Sequence, residues 1–141
     1  MAEPKAIDCW INVTFRPPDG SVPEYLKRVA EDTFGTSPGF FDEATPDGLV
    51  EIMDRAGVEK VVLHVTAENP ADRAFEFPRA HPGRFFLAVM PDVRRGMRAL
   101  WDLEALVRDH PVVMARVVPM VLDLPPNDRI FYPLYAKCIE L

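Results

Sequence analysis

Four short apolar runs, "KAIDCWINV", "EKVVLHVT", "RFFLAVM" and "VVMARVV", recur along a chain of 141 residues, and the stretches between them carry helical periodicity. This recurrence constrains the fold more than any other feature. A strand covered on one face alternates apolar and polar residues; these runs are nearly continuous and rich in β-branched side chains, as in a parallel sheet packed against helices. The later runs begin roughly 25 residues apart, enough for a strand, a short loop, a helix and a return. The chain therefore reads as α/β, with about four βα units. An open doubly wound sheet and a (β/α)8 barrel both begin this way, and periodicity does not separate them.

The 15 prolines punctuate these units instead of forming a tract. Thr45-Pro46, Asn69-Pro70 and Ser21-Val22-Pro23 each place a side-chain acceptor ahead of proline, the arrangement of a helix N-cap and first turn. Ser21 with Glu24, and more loosely Asn69 with Asp72, resemble capping boxes. Helices are expected over "PEYLKRVAEDTF", "TPDGLVEIMDRAGV", "PADRAFEFPRAH", "GMRALWDLEALVRDH" and "RIFYPLYAKCIEL". The second has Leu49, Ile52, Met53 and Ala56 on one face and Gly57 at its stop; the fourth has Met97, Leu100, Leu103 and Val107 at helical spacing. Pro78 threatens the late part of the third helix, and Pro133 either kinks the last or marks its start. "GTSPGFFDEA" reads as an irregular connection, and a proline-rich loop follows the fourth strand.

A net charge of -6 and a pI near 5.0 argue against a nucleic-acid partner, which needs clustered Lys and Arg. Arg94, Arg95 and Arg98 read as a solvated helix start. Cys9 and Cys138 belong to no CxxC or zinc-knuckle spacing and read as reduced, buried thiols of a cytoplasmic protein. "MAEPKAIDCW" lacks the charge and apolar run of a secretory signal, and no stretch has the length of a membrane span. Dinucleotide-binding glycines, a P-loop and a GxSxG elbow are all missing.

At "IDCWINV", "TPDGLVEIMDRAGVEKVVLHV", "AHPGRFFLAVMPD" and "FYPLYAKCIEL" the chain resembles the N-terminal half of an amidohydrolase-related protein, in the branch of the aminocarboxymuconate-semialdehyde decarboxylases. The resemblance implies about four βα units of a parallel (β/α)8 TIM barrel, with the site at the C-terminal ends of the strands. It also implies a metal-dependent hydrolase or decarboxylase acting on a small organic acid, with a divalent ion such as zinc polarising a carboxylate or activating water. A second half would bring further histidines and an aspartate. The family often reads Ile-Asp-x-His-x-His in its first strand, two imidazoles gripping one ion. Here Trp10 and Asn12 stand at those two places. Indole has no free lone pair and a single amide oxygen is a weak substitute, so the metal site of the resemblance is incomplete on this strand.

The remaining candidates are few. His64, near the C-terminal end of the second strand, is the ligand or general-base candidate, against the reading of a satisfied core histidine. Trp10 is a wall of a substrate pocket or a core filler, Asn12 a partner of a bound carboxylate or of nearby backbone, and Asp92 a rim residue or an ordinary turn aspartate. Asp8 faces away from Trp10 as a structural hydrogen-bond partner. His81 and His110 read as partly charged imidazoles at helix C-termini. Two further readings stay open: an inactive scaffold or assembly protein that keeps the half barrel, and a complete small open-sheet protein. A half barrel leaves open edges, which implies self-association or a covering second half.

Overall fold

The computed structural model describes residues 5–13, 22–36, 43–69 and 72–141. Its centre is a four-stranded, all-parallel sheet in the order β1-β2-β3-β4. The strands are β1 (Ala6–Ile11), β2 (Val58–Thr66), β3 (Phe85–Met90) and β4 (Val112–Ala115). Each adjacent pair is also consecutive in sequence, so the chain winds in one direction across the sheet. The pairing of β2 with β3 is unbroken from Val61↔Phe85 to Thr66↔Met90. In β1, Asp8 sits opposite Val61 but Ile11 opposite Leu63, so one extra residue bulges between them.

The helices are α1 (Glu24–Arg28), α2 (Pro46–Ala56), α3 (Glu76–Ala80), α4 (Met97–Asp109), α5 (Pro119–Leu122) and α6 (Tyr132–Glu140). Helix α1 widens into a π-type turn at Val29–Thr33. Local chemistry accounts for the boundaries. Thr45 Oγ1 accepts from Gly48 N–H and Pro46 opens α2, while Gly57, at φ 70°, ends it in the left-handed region. Asp72, not Asn69, caps the third helical segment, accepting from Ala74 N–H; Asn69 supplies only a turn carbonyl to Asp72 N–H. That segment begins as a 3-10 turn, Arg73–Phe75, so Pro78 falls in the first turn of α3, where it removes no helical hydrogen bond, and the late part persists to Ala80. Pro133 likewise marks the start of α6. The Ser21–Glu24 box and most of "GTSPGFFDEA" lie outside the described residues. The expected proline-rich loop after β4 contains the one-turn helix α5.

A single core cluster lies between the sheet and the helices. Val61, Leu63 and Val65 of β2 and Phe85, Leu87 and Val89 of β3 join Leu49 and Met53 of α2, Phe77 of α3, Leu100 and Leu103 of α4, and Leu134 of α6. Alternate strand residues therefore all point to one helical layer. Phe77 and Phe85 meet edge to face at 5.4 Å between ring centroids. The expected apolar faces are narrower than their spacing suggested. Ile52 and Ala56 of α2 and Met97 of α4 are exposed, because one sheet face contacts only the inner stripe of each helix.

Surface charges are mostly paired. Arg95 bridges Glu68 and Asp102, and Arg98 meets Asp102 one turn away; Arg94 donates to the Leu122 carbonyl. The three arginines are exposed at the start of α4, as expected, and also tie the β3–α4 connection to its neighbours. His81 Nε2 meets Asp47 Oδ1 at 2.6 Å, linking α3 to the first turn of α2. His110 packs on Phe75 at 4.6 Å; burial, then nearby Arg79, hold its pKa below the ordinary 6.5, which corrects the expected partly charged imidazole at that helix end. Cys9 and Cys138 are both exposed, against the expectation of buried thiols, because β1 and α6 stand at the margins of the sheet and helix layers.

Candidate functional site

The face of the sheet turned away from the helices carries Val62, His64 and Thr66 of β2, Phe86, Ala88 and Met90 of β3, and Met114 of β4, by strict alternation with the core residues. None of these residues belongs to the core cluster, yet the face is not bare. Val62 and Ala88 are buried without belonging to the core cluster. At the N-terminal end of the strands, the Lys60 ammonium lies 5.9 Å over the Phe86 ring. At the C-terminal end, the guanidinium of Arg116, the residue after β4, lies 3.0 Å over the Trp10 ring of β1.

That second contact defines the site. Residues of β1 and β4 are three strand spacings apart, about 14 Å if the sheet were flat. An arginine cannot reach a tryptophan on the far edge unless the sheet curls and both side chains lie down across the strands between. The Arg116 N–H is fixed by the Val89 carbonyl at 2.7 Å, which sends the side chain from the end of β4 over the open face. The bulge between Asp8 and Ile11 turns Trp10 onto that same face, while Asp8 pairs with core-facing Val61 and accepts from Trp10 N–H at 2.9 Å. The face of each residue is set by a one-residue irregularity.

Among the described residues, two side-chain polar atoms are buried with no hydrogen-bond partner: His64 Nδ1 and, within the bridge itself, Arg116 Nε. Each is costly to leave unmade, on the order of 1–3 kcal/mol. Burial, then repulsion from Arg116, hold the His64 pKa below its ordinary 6.5, with Asp72 pulling weakly the other way. Burial also lowers the Arg116 pKa, but a guanidinium starts so high that it stays charged. The arrangement is a fixed cation beside a neutral imidazole at the C-terminal end of a parallel sheet, under an aromatic wall. It leaves a guanidinium N–H without an acceptor and an imidazole nitrogen that donates or accepts according to its tautomer.

The other sequence candidates divide clearly. Asn12, exposed just past the end of β1, stands at the same mouth. Asp92 follows β3, but its carboxylate accepts from Arg94 N–H at 3.1 Å and caps a 3-10 turn, as an ordinary turn aspartate does. Trp10 is 60% exposed and lies outside the core cluster. Arg116 was missed, although a charged residue within the apolar run "VVMARVV", at the same strand end as His64, was a visible signal.

A divalent metal does not fit these residues. His64 offers one buried nitrogen, Trp10 offers none, and the Arg116 cation occupies the space above. Among the described residues, no three His, Cys, Asp or Glu side chains gather closely enough to hold an ion. No helix among them is long and apolar enough to cross a membrane. No protein-family model, curated protein or solved structure matches the chain.

Proposed function

We propose that this chain is half of an amidohydrolase-type (β/α)8 scaffold whose open sheet face binds a small organic acid for hydrolysis or decarboxylation. The fold part of the reading rests on the one-sided helical layer, since a doubly wound sheet carries helices on both faces, and on the helix–Ala56-Gly57-Val58–strand unit quoted above. The single observation that carries the ligand part is the Arg116 guanidinium laid across Trp10 over an unpartnered His64. A carboxylate entering there pairs with the guanidinium, satisfies the orphaned nitrogens and rests its carbon chain against Trp10 and Met114. His64, neutral at pH 7, is the acid–base group, able to accept a proton from water or from a substrate hydroxyl. A metal would have to be held by groups other than these, and no step is assigned to one.

A second reading, an inactive scaffold that keeps the binding face, is favoured by the incomplete donor set. Titration of acetate, succinate and benzoate against Trp10 fluorescence, with exposed Trp101 replaced by Phe, tests what the two readings share. A saturable change that Arg116→Met abolishes supports the site. No saturable change, or one indifferent to Arg116, contradicts it. Turnover lost in His64→Gln with binding kept then selects the enzyme over the scaffold.

A further inference from the structure

The Arg116 side chain is an arm laid across the open sheet face. It leaves the end of β4 and ends 3.0 Å over the Trp10 ring of β1, and in the order β1-β2-β3-β4 that path crosses β3 and then β2. His64 lies on the strand crossed last and on the same face, since it pairs with Ala88 and Ala88 pairs with Met114, two residues before Arg116. The grip at the far end is weak. Among the described residues no carboxylate pairs with the arm, its Nε–H is buried without an acceptor, and the indole that it rests on is 60% exposed. A cation–π contact on an exposed ring is among the lesser side-chain interactions, and the unmet N–H opposes it.

We propose that Arg116 is a gate worked by the charge of His64: the arm lies closed on Trp10 while the imidazole is neutral and swings off the indole when His64 takes a proton in the empty site. Both side chains are half-buried, so an imidazolium under a guanidinium, with no anion between them, meets a repulsion that water screens little. The guanidinium cannot shed its charge, and the arm moves instead. Burial, then the Arg116 cation, disfavour protonation of His64; by reciprocity, protonation disfavours the closed arm by as much as the arm disfavours protonation. The neighbouring strands offer His64 no other charge on this face: β1 presents Trp10 and Asn12, and β3 presents Phe86, Ala88 and Met90. Lys60 shares the strand of His64 but lies at its other end, over Phe86. Asp72 weakly favours the imidazolium, but one of its oxygens already accepts from Ala74 N–H. The gate regulates the site proposed above and rests on its geometry; a carboxylate bound to both groups there holds the arm closed on a protonated His64.

The test is nuclear magnetic resonance of the 141-residue chain in a buffer free of carboxylates, with two signals followed in one sample. The His64 ring reports its proton, and the Arg116 δ-methylene reports the arm, because the ring current of Trp10 shifts it upfield while the guanidinium lies over the indole. As the pH is lowered, the upfield shift is expected to vanish with the midpoint of the His64 titration. His64→Gln is expected to keep the shift over the same range. A shift that survives protonation of His64 in the empty site overturns the gate, as does a shift lost equally in His64→Gln, or a His64 that stays neutral until the chain unfolds. Should His64→Gln not fold, the wild-type comparison of the two midpoints decides alone. Repeating the titration with succinate is expected to keep the arm closed as His64 protonates. Succinate without effect on either signal sinks the carboxylate reading, while the empty-site result still decides the gate.

Discussion

Replacing Arg116 by Met separates binding from stability in a way that a merely structural arginine would not. In the free protein the Arg116 guanidinium contributes a cation–π contact with Trp10, which is 60% exposed, so about 0.5–1 kcal/mol is lost with it. Against this, Arg116 Nε is buried without a partner, a penalty of about 1–3 kcal/mol that methionine does not carry. Methionine also keeps most of the apolar stem packed along the sheet. The balance favours the variant by about 0–2.5 kcal/mol, although a charge and a stacking contact have been removed. The assay is urea unfolding followed by circular dichroism, at one fixed protomer concentration because association shifts the midpoint. The midpoint is expected to stay or rise with an unchanged slope, while carboxylate binding is lost. A variant destabilised by more than about 1 kcal/mol would refute the reasoning, because Arg116 would then be a satisfied structural group.

Two further outcomes follow from the same geometry. His64 and His110 both have lowered pKa values, so between those values and 6.5 the unfolded chain binds more protons than the folded one. Stability is therefore full above pH 6.5 and falls as the pH drops through that window, and His110→Gln reduces the slope seen in acid-unfolding titrations. Gly57→Ala has open space for its methyl group but must hold φ at 70°, so it costs about 1–2 kcal/mol by denaturant unfolding; a neutral effect would mean that α2 can end another way.

The α/β class and the four units were legible because buried parallel strands write themselves as apolar, β-branched runs, and because Thr45, Pro46 and Gly57 are local signals with local effects. Helix faces were legible only in part. Leu49 and Met53 are buried while Ile52 is 53% exposed, since the width of a buried stripe depends on how many layers the helix touches. His64 was placed correctly at its strand end. Arg116 was not found, because its partner lies on the opposite edge of the sheet and the contact exists only through curl and a bulge, neither of which leaves a periodic trace. The exposure of Cys9 and Cys138 was missed for a related reason: thiols are usually buried, but position at a sheet margin is a property of the whole fold.

The most direct test of the carboxylate site is nuclear magnetic resonance of the three histidine rings across pH, with and without a small carboxylate. In the free protein His64 is expected to titrate below 6.5, and bound carboxylate is expected to raise its pKa by neutralising the Arg116 field, with uptake of a proton as the acid binds. The ring signals of His81 and His110, on the helical side of the molecule, should not move with ligand. A His64 that titrates at or above 6.5 in the free protein, or is indifferent to carboxylate, would contradict the account.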